Sequence, residues 1–320
     1  MKAAVYYETG KPDVFKYEDV PDPAGGPWDI VIEIKAISIE GGDVLNRAGG
    51  PMPAVPHIVG YDAAGVISQV GPKVRNRQVG QRVTTLSPFG SHAEKRAVGA
   101  ITSWLIPDKV SFEEAACVPV TFGTAHECLF EFGHLQTGET VLIQAGAGGV
   151  GLAAIQLAKR AGARVLATAS SNERLERLKE YGLDEGINYA EKDLVTEVRR
   201  MTNNQGVDLV VDGVGGEVLQ KSIEAARHRG RVITFGQAGR GFRRVDVGGL
   251  AMGDKTLTGV FLGAEIATDR VQKIINQLLE DIAAGQIRVP IARKFPLSQA
   301  AEAHAYIESR QAVGRVLLIP

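Results

Sequence analysis

The feature that most constrains the fold is a regular alternation of strand-like and helix-like segments in the middle of the chain. Six short apolar runs are typical of buried strands, at Thr140–Gln144, Arg164–Thr168, Gly186–Asn188, Asp208–Val211, Arg231–Phe235 and Thr256–Val260. Four helix-like stretches lie between them, at Gly149–Ala161, Asn172–Tyr181, Leu194–Asn203 and Glu217–Ala226. Because parallel neighbours need crossover connections, this succession predicts an α/β fold with a doubly wound parallel sheet.

The segments on either side of this alternation have a different pattern. Short strand-like runs separated by turns rich in Gly and Pro precede it, at Lys2–Tyr7, Asp29–Ile37, Ala63–Val70, Arg82–Thr85 and Ala93–Val98. Such runs predict a compact, barrel-like β unit. Two helical stretches, Glu113–Cys117 and Gly123–Phe132, lead into the alternating region. After it, Ala267–Pro320 indicates a long helix followed by a strand, a short helix and a final strand, at Ala292–Pro296, Ser298–Ser309 and Val313–Ile319.

Charge and hydropathy limit the classes of function. The 320 residues include 36 Lys or Arg and 37 Asp or Glu, which leaves a net charge of −1. A nucleic-acid or anionic-membrane surface needs a concentrated basic field, so we expect neither partner. No apolar run is long enough to span a bilayer, and the N-terminus lacks a secretory pattern. We therefore expect a cytoplasmic protein whose two cysteines, Cys117 and Cys128, are small buried hydrophobic residues.

A glycine-rich run follows the first of the six strands and opens the next helix. It contains the pattern G-x-G-x-x-G as Gly146, Gly148 and Gly151, with Gly149 and Val150 inside it. In a dinucleotide site the first glycine permits a tight turn, the second lets the backbone approach a pyrophosphate, and the third allows close helix–strand packing. Amide groups at the helix start then face the negative charge. The strand–loop–helix placement predicts a Rossmann dinucleotide site rather than an ordinary turn.

The end of the second strand indicates which nicotinamide cofactor binds. NAD sites place an Asp or Glu there for the ribose 2′-hydroxyl, whereas this chain has the small residues Thr168–Ser171. Ser170 and Arg174 suit a 2′-phosphate, Arg174 as a charged donor, which predicts NADPH. The alternative makes Asn172 a helix N-cap, Glu173 a first-turn acid and Arg174 solvated surface.

Four motifs give the chain a resemblance to a known family, at Ala145–Gly151, Val118–Ala125, Ile187–Tyr189 and Gly314–Ile319. With them the chain resembles the zinc-independent quinone oxidoreductase (zeta-crystallin-like) branch of the medium-chain dehydrogenase/reductase superfamily. The resemblance implies a GroES-like, β-rich catalytic domain made of residues 1–118 and 263–320, around a central Rossmann domain of residues 119–262. It also implies an active site in the cleft between the domains and a homodimer formed by edge strands of the Rossmann sheets.

The resemblance further implies contacts with NADPH at individual positions. Thr124 would lie near the nicotinamide or its phosphate, Gly148–Val150 on the pyrophosphate, and Tyr189 beside the 2′-phosphate. Phe235 and Gly236 would flank the nicotinamide end, and Phe261 and Arg310 would close the cleft. Three of these assignments have alternatives: Tyr189 and Phe261 as core aromatics, and Arg310 as an exposed cation at a helix end.

Zinc-dependent relatives hold their metal at three motif positions, which in this chain carry Glu40, Tyr61 and Val120. Zinc prefers thiolate and imidazole ligands, so this set predicts no metal. A weak carboxylate site of Glu40 with Asp62 is the alternative. The six histidines show no ligand spacing, and we expect most of them at the surface or at helix caps: His57, His92, His126, His134, His228 and His304.

The missing zinc ligands constrain the acceptor. Reducing a simple carbonyl puts negative charge on one oxygen, which a metal stabilises, whereas a quinone or α,β-unsaturated carbonyl spreads that charge. We therefore interpret the chain as an NADPH-dependent, zinc-free enzyme of the NADPH:quinone oxidoreductase type that passes hydride to a small-molecule quinone or enone. The alternatives are an enoyl-thioester or alkenal reductase, and a non-catalytic, crystallin-like protein that binds NADPH.

Two residues are candidates for the proton donor. Glu40 stands where many reductases of the branch carry Asn, and it is either a buried acid that donates a proton or a structural anchor of the Gly41–Gly42 turn. Tyr61 is either a donor or an apolar wall. Asp43 is expected to bind backbone amides. The loop Gln237–Gly253 is either a mobile cover over the acceptor or a solvated turn, with three cations at Arg240, Arg243 and Arg244.

Overall fold

The computed structural model describes residues 1–239 and 245–320. Within this part of the chain the backbone forms two compact units. The first unit combines Met1–Val120 with Glu265–Pro320, and the second is Thr121–Ala264. The first unit is therefore built from both ends of the chain. No helix among the described residues is both long and apolar enough to cross a membrane.

The strands and helices of the described residues are named in chain order. The strands are β1 (Lys2–Val5), β2 (Lys16–Asp19), β3 (Asp29–Ser38), β4 (Asp62–Val70), β5 (Arg82–Leu86), β6 (Lys95–Gly99), β7 (Ser103–Leu105), β8 (Thr140–Ile143), β9 (Arg164–Ala169), β10 (Glu185–Asn188), β11 (Val207–Asp212), β12 (Ala226–Thr234), β13 (Thr256–Gly259), β14 (Ile291–Pro296) and β15 (Arg315–Ile319). The helices are α1 (Gly41–Gly49), α2 (Phe112–Ala116), α3 (Gly123–His126), α4 (Gly149–Arg160), α5 (Asn172–Lys179), α6 (Leu194–Met201), α7 (Gly216–Ala225), α8 (Gly248–Ala251), α9 (Leu262–Glu265), α10 (Asp269–Ala283) and α11 (Ala300–Glu308).

The first unit is built on a mixed, mainly antiparallel sheet. Its strands follow the order β14-β15-β3-β4-β5-β7, and β6 also pairs with β3. Alternate residues Ile30, Ile32 and Ile34 of β3 belong to the hydrophobic core, as the two-residue period of a strand requires. The C-terminal strand β15 adds Val316 and Leu318 to the same core. Both ends of the chain therefore build one core.

The second unit is built on a parallel sheet of six strands. The order β10-β9-β8-β11-β12-β13 has every neighbouring pair parallel. The predicted doubly wound sheet is thus confirmed. The central strand β8 lies between β9 and β11, so the connections diverge between β8 and β11. In open α/β sheets, ligands bind at the carboxyl ends of the strands at such a switch point.

The core of the second unit explains why its strands are almost wholly apolar. Leu142, Leu166, Ile187, Val210 and Val232 come from five neighbouring strands and pack in one buried cluster. A parallel sheet is covered by helices on both faces, so its strands are continuous apolar runs without alternation. Burying each of these side chains stabilises the fold by about 1.5–3 kcal/mol.

Most of the predicted elements are confirmed, but three differences affect the site or the sheet. The segment Gly41–Gly49 is helix α1, where the sequence indicated only a turn. Strand β12 begins at Ala226, earlier than the predicted start at Arg231. The sequence did not reveal its first residues because the charged residues after Ala226 carry no apolar pattern, and the pairing of the strand with β11 is irregular there. The predicted loop Gln237–Gly253 contains the short helix α8 at Gly248–Ala251, and its three predicted cations fall in residues 240–244, outside the described residues.

The expectation that most of the six histidines lie at the surface or at helix caps was wrong, because half of them are buried. His57, His92 and His304 are buried in the first unit. The Nε2 atoms of His92 and His304 lie 3.0 Å apart and share a hydrogen bond. Burial lowers the pKa of His92 to about 3 and lowers that of His304 as well, so both rings stay neutral in the core. The two cysteines are buried, as expected.

Candidate active site

The glycine-rich loop after β8 turns tightly onto helix α4. The Gly146 N–H donates to the carbonyl oxygen of Thr168 on β9 at 2.8 Å, which ties the loop to the neighbouring strand. A Cβ at Gly151 would lie 2.5 Å from the Ala145 carbonyl oxygen, so only glycine permits this approach of helix to loop. A Cβ at Gly148 would meet only that same oxygen, at 3.3 Å. The loop therefore has the close packing and the open face that a pyrophosphate cradle needs.

The start of helix α4 supplies the donors of this cradle. Gly148 caps the helix in an extended conformation, and Gly149 and Val150 form its first turn. The α4 helix has 12 residues, and the amide groups of its first turn lie at the carboxyl edge of the sheet. The N-terminus of a helix of this length is a favourable place for a phosphate group, because unpaired N–H groups and the helix dipole both attract the anion.

Ser170 and Arg174 come together beyond the carboxyl end of β9. The Arg174 guanidinium donates from Nη1 to the Ser170 Oγ at 3.1 Å. Ser171, and not Asn172, caps helix α5, because its hydroxyl accepts from the Arg174 N–H. The proposed Asn172 cap was therefore wrong. Glu173 lies exposed in the first turn, so the strand end itself carries hydroxyl groups and a guanidinium rather than a carboxylate.

Tyr189 lies next to this pair, at the carboxyl end of β10. Its N–H donates to the carbonyl oxygen of Ala169 at 3.1 Å, which holds it beside the last residue of β9. The Tyr189 side chain is 47% exposed, so the alternative of a core aromatic was wrong. Its exposed phenol ring is available to contact a ligand at this edge of the sheet.

A pocket of about 380 Å³ lies at the carboxyl ends of β12 and β13. Its walls bring together three of the predicted cofactor residues, Phe235, Gly236 and Phe261. A Cβ at Gly213 would lie 2.4 Å from the Phe235 Cζ, so the ring of Phe235 packs directly on the end of β11. Phe261 is 77% exposed, and the alternative that it is a core residue was wrong.

Thr124 lies in an unusual helical segment. The short helix α3 is flanked by two π-helical turns, Val118–Phe122 and Glu127–Glu131. Such turns are rare and frequently lie at functional sites. Thr124 itself is buried within α3.

In the first unit, Glu40 is the N-cap of helix α1 and is 3% exposed. Its Oε1 accepts a hydrogen bond from the Ser38 hydroxyl at 2.9 Å and forms a short ion pair with the Arg315 guanidinium. Arg315 also donates to Ser38 Oγ and, at 2.6 Å, to the carbonyl oxygen of Ile39. Burial raises the pKa of Glu40, and the charge of Arg315 opposes that rise. Glu40 and Asp43 also form a capping box on the first turn of α1, so Glu40 anchors the Gly41–Gly42 turn, as one of the two interpretations predicted, and ties it to strand β15 as well.

Tyr61 lies against the first turns of α1. Its hydroxyl accepts from the Asn46 Nδ2 at 3.0 Å. A Cβ at Gly42 would lie 2.3 Å from the Tyr61 Cε2, so glycine is required for the ring to rest on the helix. As expected, Asp43 binds backbone amides, accepting from the N–H groups of Glu40 and Tyr61 at 2.8 and 3.2 Å. Burial, together with the charge of Asp43, raises the pKa of Tyr61, so its phenol keeps its proton at neutral pH.

The sequence reasoning missed Arg315. Its signal was a cation in an otherwise apolar C-terminal strand, inside the motif Gly314–Ile319. A buried cation in such a strand requires a partner, but the identity of that partner depends on which strand lies beside it. In the structure β15 pairs with β3, which places Arg315 beside Ser38 and Glu40.

The comparisons with known proteins agree with this geometry. Residues 26–120 match the alcohol dehydrogenase GroES-like domain, and residues 149–280 match the zinc-binding dehydrogenase family. The chain is 32% identical to a 2-haloacrylate reductase of a Burkholderia species, with 100% of this chain and 99% of that protein covered. It is 31% identical to a quinone oxidoreductase of Pseudomonas aeruginosa, with 97% of each covered. The chain belongs to the quinone oxidoreductase branch of the medium-chain dehydrogenase/reductase superfamily.

A solved structure supports the same membership. The quinone oxidoreductase of Escherichia coli complexed with NADPH is 31% identical to this reductase and superposes with a TM-score of 0.96 over 100% of both chains. The parallel Rossmann sheet and the GroES-like unit are therefore those of a medium-chain dehydrogenase/reductase. The chain is an oxidoreductase.

The zinc-binding description of one matching family calls for a test of the zinc positions. Glu40 is already paired with the Arg315 guanidinium, whose charge would repel a metal ion. The Asp62 Oδ2 accepts from the Val120 N–H at 3.0 Å, and burial raises the pKa of Asp62 well above its usual range. Tyr61 is bound by Asn46. These donors do not fit zinc, and within residues 1–239 and 245–320 no group of three His, Cys, Asp or Glu side chains is arranged to hold a metal.

Arg310 is the last of the predicted site residues. It follows the C-cap of helix α11, is exposed and has a left-handed backbone with φ 57°. This position agrees with the alternative of an exposed cation at a helix end. A role in closing the cleft stays a prediction.

Proposed function

We propose that this reductase uses NADPH to transfer hydride to a quinone or an α,β-unsaturated carbonyl compound, without zinc. The observation that supports NADPH as the cofactor is the 3.1 Å hydrogen bond from Arg174 Nη1 to Ser170 Oγ, at a strand end with no carboxylate. A carboxylate there would repel a 2′-phosphate, whereas a guanidinium and a hydroxyl group bind it.

The residues that would hold the cofactor follow the edge of the second unit. The glycine-rich loop and the start of α4 would bind the pyrophosphate, with Ser170, Arg174 and Tyr189 at the 2′-phosphate. The nicotinamide end would lie near the pocket walls and the buried threonine, at Thr124, Phe235, Gly236 and Phe261, and Arg310 would be a further cofactor contact. Bound NADPH supplies the hydride of the reaction.

The acceptor class is supported by the relatives and by the donor set. One relative is named for quinone reduction and another for reduction of a 2-haloacrylate, in which a carbon–carbon double bond is conjugated to a carboxyl group. Conjugation spreads the charge that hydride brings, so the acceptor needs less electrophilic help than a simple carbonyl does. The carboxyl groups of Glu40 and Asp62 are already bound by Arg315 and by the Val120 N–H, so they do not offer a metal site. A conjugated acceptor is one that can be reduced without a metal.

We propose Tyr61 as the proton donor to the reduced acceptor. Its raised pKa keeps the phenol protonated, and its oxygen already accepts the Asn46 amide hydrogen. That same amide would stabilise the phenolate left after proton transfer. Glu40, bound by Arg315 and Ser38, would position the first turn of α1, on which the Tyr61 ring rests.

The cofactor proposal is tested by titrating the enzyme with NADPH and with NADH and following cofactor fluorescence. Arg174→Ala should weaken NADPH binding about tenfold to a hundredfold, the size of a lost charge-assisted hydrogen bond, and leave NADH binding unchanged. Arg177→Ala is the matched control, because Arg177 is an exposed cation on the same helix. Wild-type protein that binds NADH as tightly as NADPH would contradict the proposal.

The acceptor proposal is tested by NADPH oxidation with 1,4-benzoquinone, 9,10-phenanthrenequinone and a crotonyl thioester in parallel. We expect turnover with the quinones. Turnover confined to the thioester would instead support an enoyl-thioester reductase, and tight NADPH binding without turnover would support a non-catalytic role. Tyr61→Phe should lower kcat, by about a hundredfold or more for a lost general acid, with little change in NADPH affinity.

We also propose a homodimer that forms through β13. In the described part of the sheet this strand is at the edge and pairs only with β12, and Met252, which precedes it in the chain, is 90% exposed. A second copy of the edge would pair the strand and cover the apolar side chain. Met252→Lys should shift the sedimentation of the protein toward the monomer, whereas Val79→Lys in the first unit should not. A monomeric wild type at micromolar concentration would contradict this proposal.

A further inference from the structure

A line of buried side-chain hydrogen bonds crosses the parallel sheet beneath its carboxyl edge. The Thr168 hydroxyl donates to the Gln144 Oε1 at 2.8 Å, and the Gln144 Nε2 donates to the Ser222 Oγ at 3.0 Å. The Ser222 hydroxyl then donates to the Asp212 Oδ2 at 2.7 Å. All four side chains are buried. We call this set, Thr168, Gln144, Ser222 and Asp212, the Gln144 chain.

The Gln144 chain joins two loops that are far apart in sequence. At one end the Ala145 N–H, in the glycine-rich loop, donates to the Thr168 Oγ1 at 3.0 Å. At the other end the Asp212 Oδ1 accepts from the N–H groups of Val214 and Gly215 at 2.8 and 2.9 Å. The first loop follows β8 and the second follows β11, so the chain bridges the switch point where the connections of the sheet diverge.

The hydrogen bonds of the Gln144 chain run in one direction. Each hydroxyl accepts one hydrogen bond and donates the next. The Gln144 amide does the same, because it accepts at Oε1 and donates at Nε2. Asp212 ends the line, because its carboxylate accepts at both oxygens and donates at neither. Loss of any inner member leaves buried donors or acceptors unpaired on both sides, so the members depend on one another.

Both loops have backbone conformations that need support. Ala145 has φ 52° and Gly215 has φ 71°, and alanine rarely adopts a left-handed backbone. Such a conformation persists where the surroundings determine it. The hydrogen bonds from the Ala145 N–H to Thr168 and from the Gly215 N–H to Asp212 act directly on these two positions.

We propose that the Gln144 chain positions the cofactor: it holds the loop after β8 and the loop after β11 in one fixed relation, so that the two halves of a dinucleotide meet preformed sites. Gln144, Thr168, Ser222 and Asp212 are therefore positioning residues, which act through the loops. This inference rests on the proposed binding of NADPH at the same edge. A purely structural set of hydrogen bonds would stabilise the sheet without linking the loops.

The test is a double-mutant cycle on NADPH affinity. Thr168→Val and Ser222→Ala each remove one hydroxyl and should each raise the Kd for NADPH about tenfold, the effect of one broken buried hydrogen bond. If the chain acts as a unit, the double variant should bind about as weakly as either single variant. Independent effects, which would multiply to about a hundredfold, would overturn the proposal.

Two further variants separate positioning from stability. Thr168→Ser keeps the hydroxyl and should restore the wild-type Kd. Thr202→Val is the matched control: the Thr202 hydroxyl also accepts an amide hydrogen, from Gly206, and also donates to a carbonyl oxygen, of Val198, but outside the Gln144 chain. It should lower the melting temperature without changing the Kd. A Kd that rises equally in Thr202→Val would show that general destabilisation, and not positioning, is measured.

Amide hydrogen exchange of the enzyme without cofactor tests the link itself. Ser222→Ala should speed exchange at the Ala145 N–H, at the far end of the chain, as well as at Val214 and Gly215. Faster exchange confined to Val214 and Gly215 would overturn the proposal. This measurement does not depend on NADPH, so a wild type that fails to bind NADPH would refute the proposed function while the exchange result still decides the inference.

Discussion

Replacing Arg315 with methionine would leave the carboxyl group of Glu40 buried without its cationic partner. The two side chains are only 9% and 4% exposed, and Arg315 also donates to Ser38 Oγ and to the Ile39 carbonyl oxygen. Removing one member of a buried ion pair costs about 3–5 kcal/mol, because the remaining charge keeps its desolvation cost. We expect a loss of this size in the free energy of unfolding of the first unit at slightly alkaline pH.

The pH dependence of this loss follows from the pKa of Glu40. Burial already raises that pKa, and without the opposing charge of Arg315 it rises further. A carboxyl group whose pKa is higher in the folded state stabilises the fold below its unfolded pKa, and that contribution disappears as the pH rises through the folded pKa. The difference between the variant and the wild type should therefore grow with pH, by up to about 1.4 kcal/mol per pH unit over that window.

The measurement is urea unfolding followed by tryptophan emission at about pH 5 and about pH 8, a range that starts just above the ordinary pKa of a glutamate, 4.5, and extends in the direction in which the pKa of Glu40 is raised. Both tryptophans, Trp28 and Trp104, lie in the first unit, so the signal reports the unit that contains the ion pair. Lys294→Met is the matched control, because it breaks an exposed ion pair of the same unit, with Glu113. Exposed pairs contribute about 0–1 kcal/mol, so the control should change little.

A second substitution makes this reasoning refutable. Glu40→Gln in the Arg315→Met background removes the stranded charge and should recover about 1–3 kcal/mol at the higher pH. A loss that is equal at both pH values and is not relieved by Glu40→Gln would show that Arg315 acts through packing alone. The pair would then have no electrostatic role, and the assignment of Glu40 as an anchor would fail.

Three further predictions concern the cofactor loop, the buried histidines and the pocket. Gly151→Ala places a Cβ 2.5 Å from the Ala145 carbonyl oxygen, and overpacking typically costs about 1–3 kcal/mol. This variant should therefore bind NADPH at least about tenfold more weakly in a fluorescence titration. An unchanged Kd would contradict the close approach of helix and loop. Because the pKa of His92 falls from 6.5 to about 3 on folding, its stabilising contribution is complete above pH 6.5 and is lost as the pH falls. The wild type should lose about 2 kcal/mol between pH 6.5 and pH 5 from this residue, and His92→Gln should flatten the urea-unfolding profile there. Phe261→Ala removes an exposed pocket wall and should raise KM for the acceptor severalfold with little change in melting temperature, whereas a large stability loss would indicate a core role.

The architecture of the second unit was predictable because each of its elements is encoded locally. A strand of four to six apolar residues followed by an amphipathic helix has a pattern that a short window reveals. The glycine-rich loop was equally clear, since its glycines are spaced by the demands of one turn and one helix start. Helix α1 was missed because it has nine residues and begins with two glycines, which are poor helix formers.

The contacts of the candidate site were less predictable. Ser170 and Arg174 are one helical turn apart, so their meeting could be inferred from the sequence. Arg315 and Glu40 are 275 residues apart and meet only because β15 pairs with β3. His92 and His304 are 212 residues apart, and no local pattern distinguishes them from surface histidines.

The sequence by itself determined the parallel sheet, the dinucleotide loop and the hydroxyl–guanidinium pair at the end of β9, because periodicity, glycine conformation and helix geometry act over a few residues. Only the tertiary structure decided the partners of Glu40, the burial of the histidines and the Gln144 chain. Those features depend on which strands become neighbours, and a buried polar group takes its pKa and its hydrogen bonds from whatever the topology places beside it.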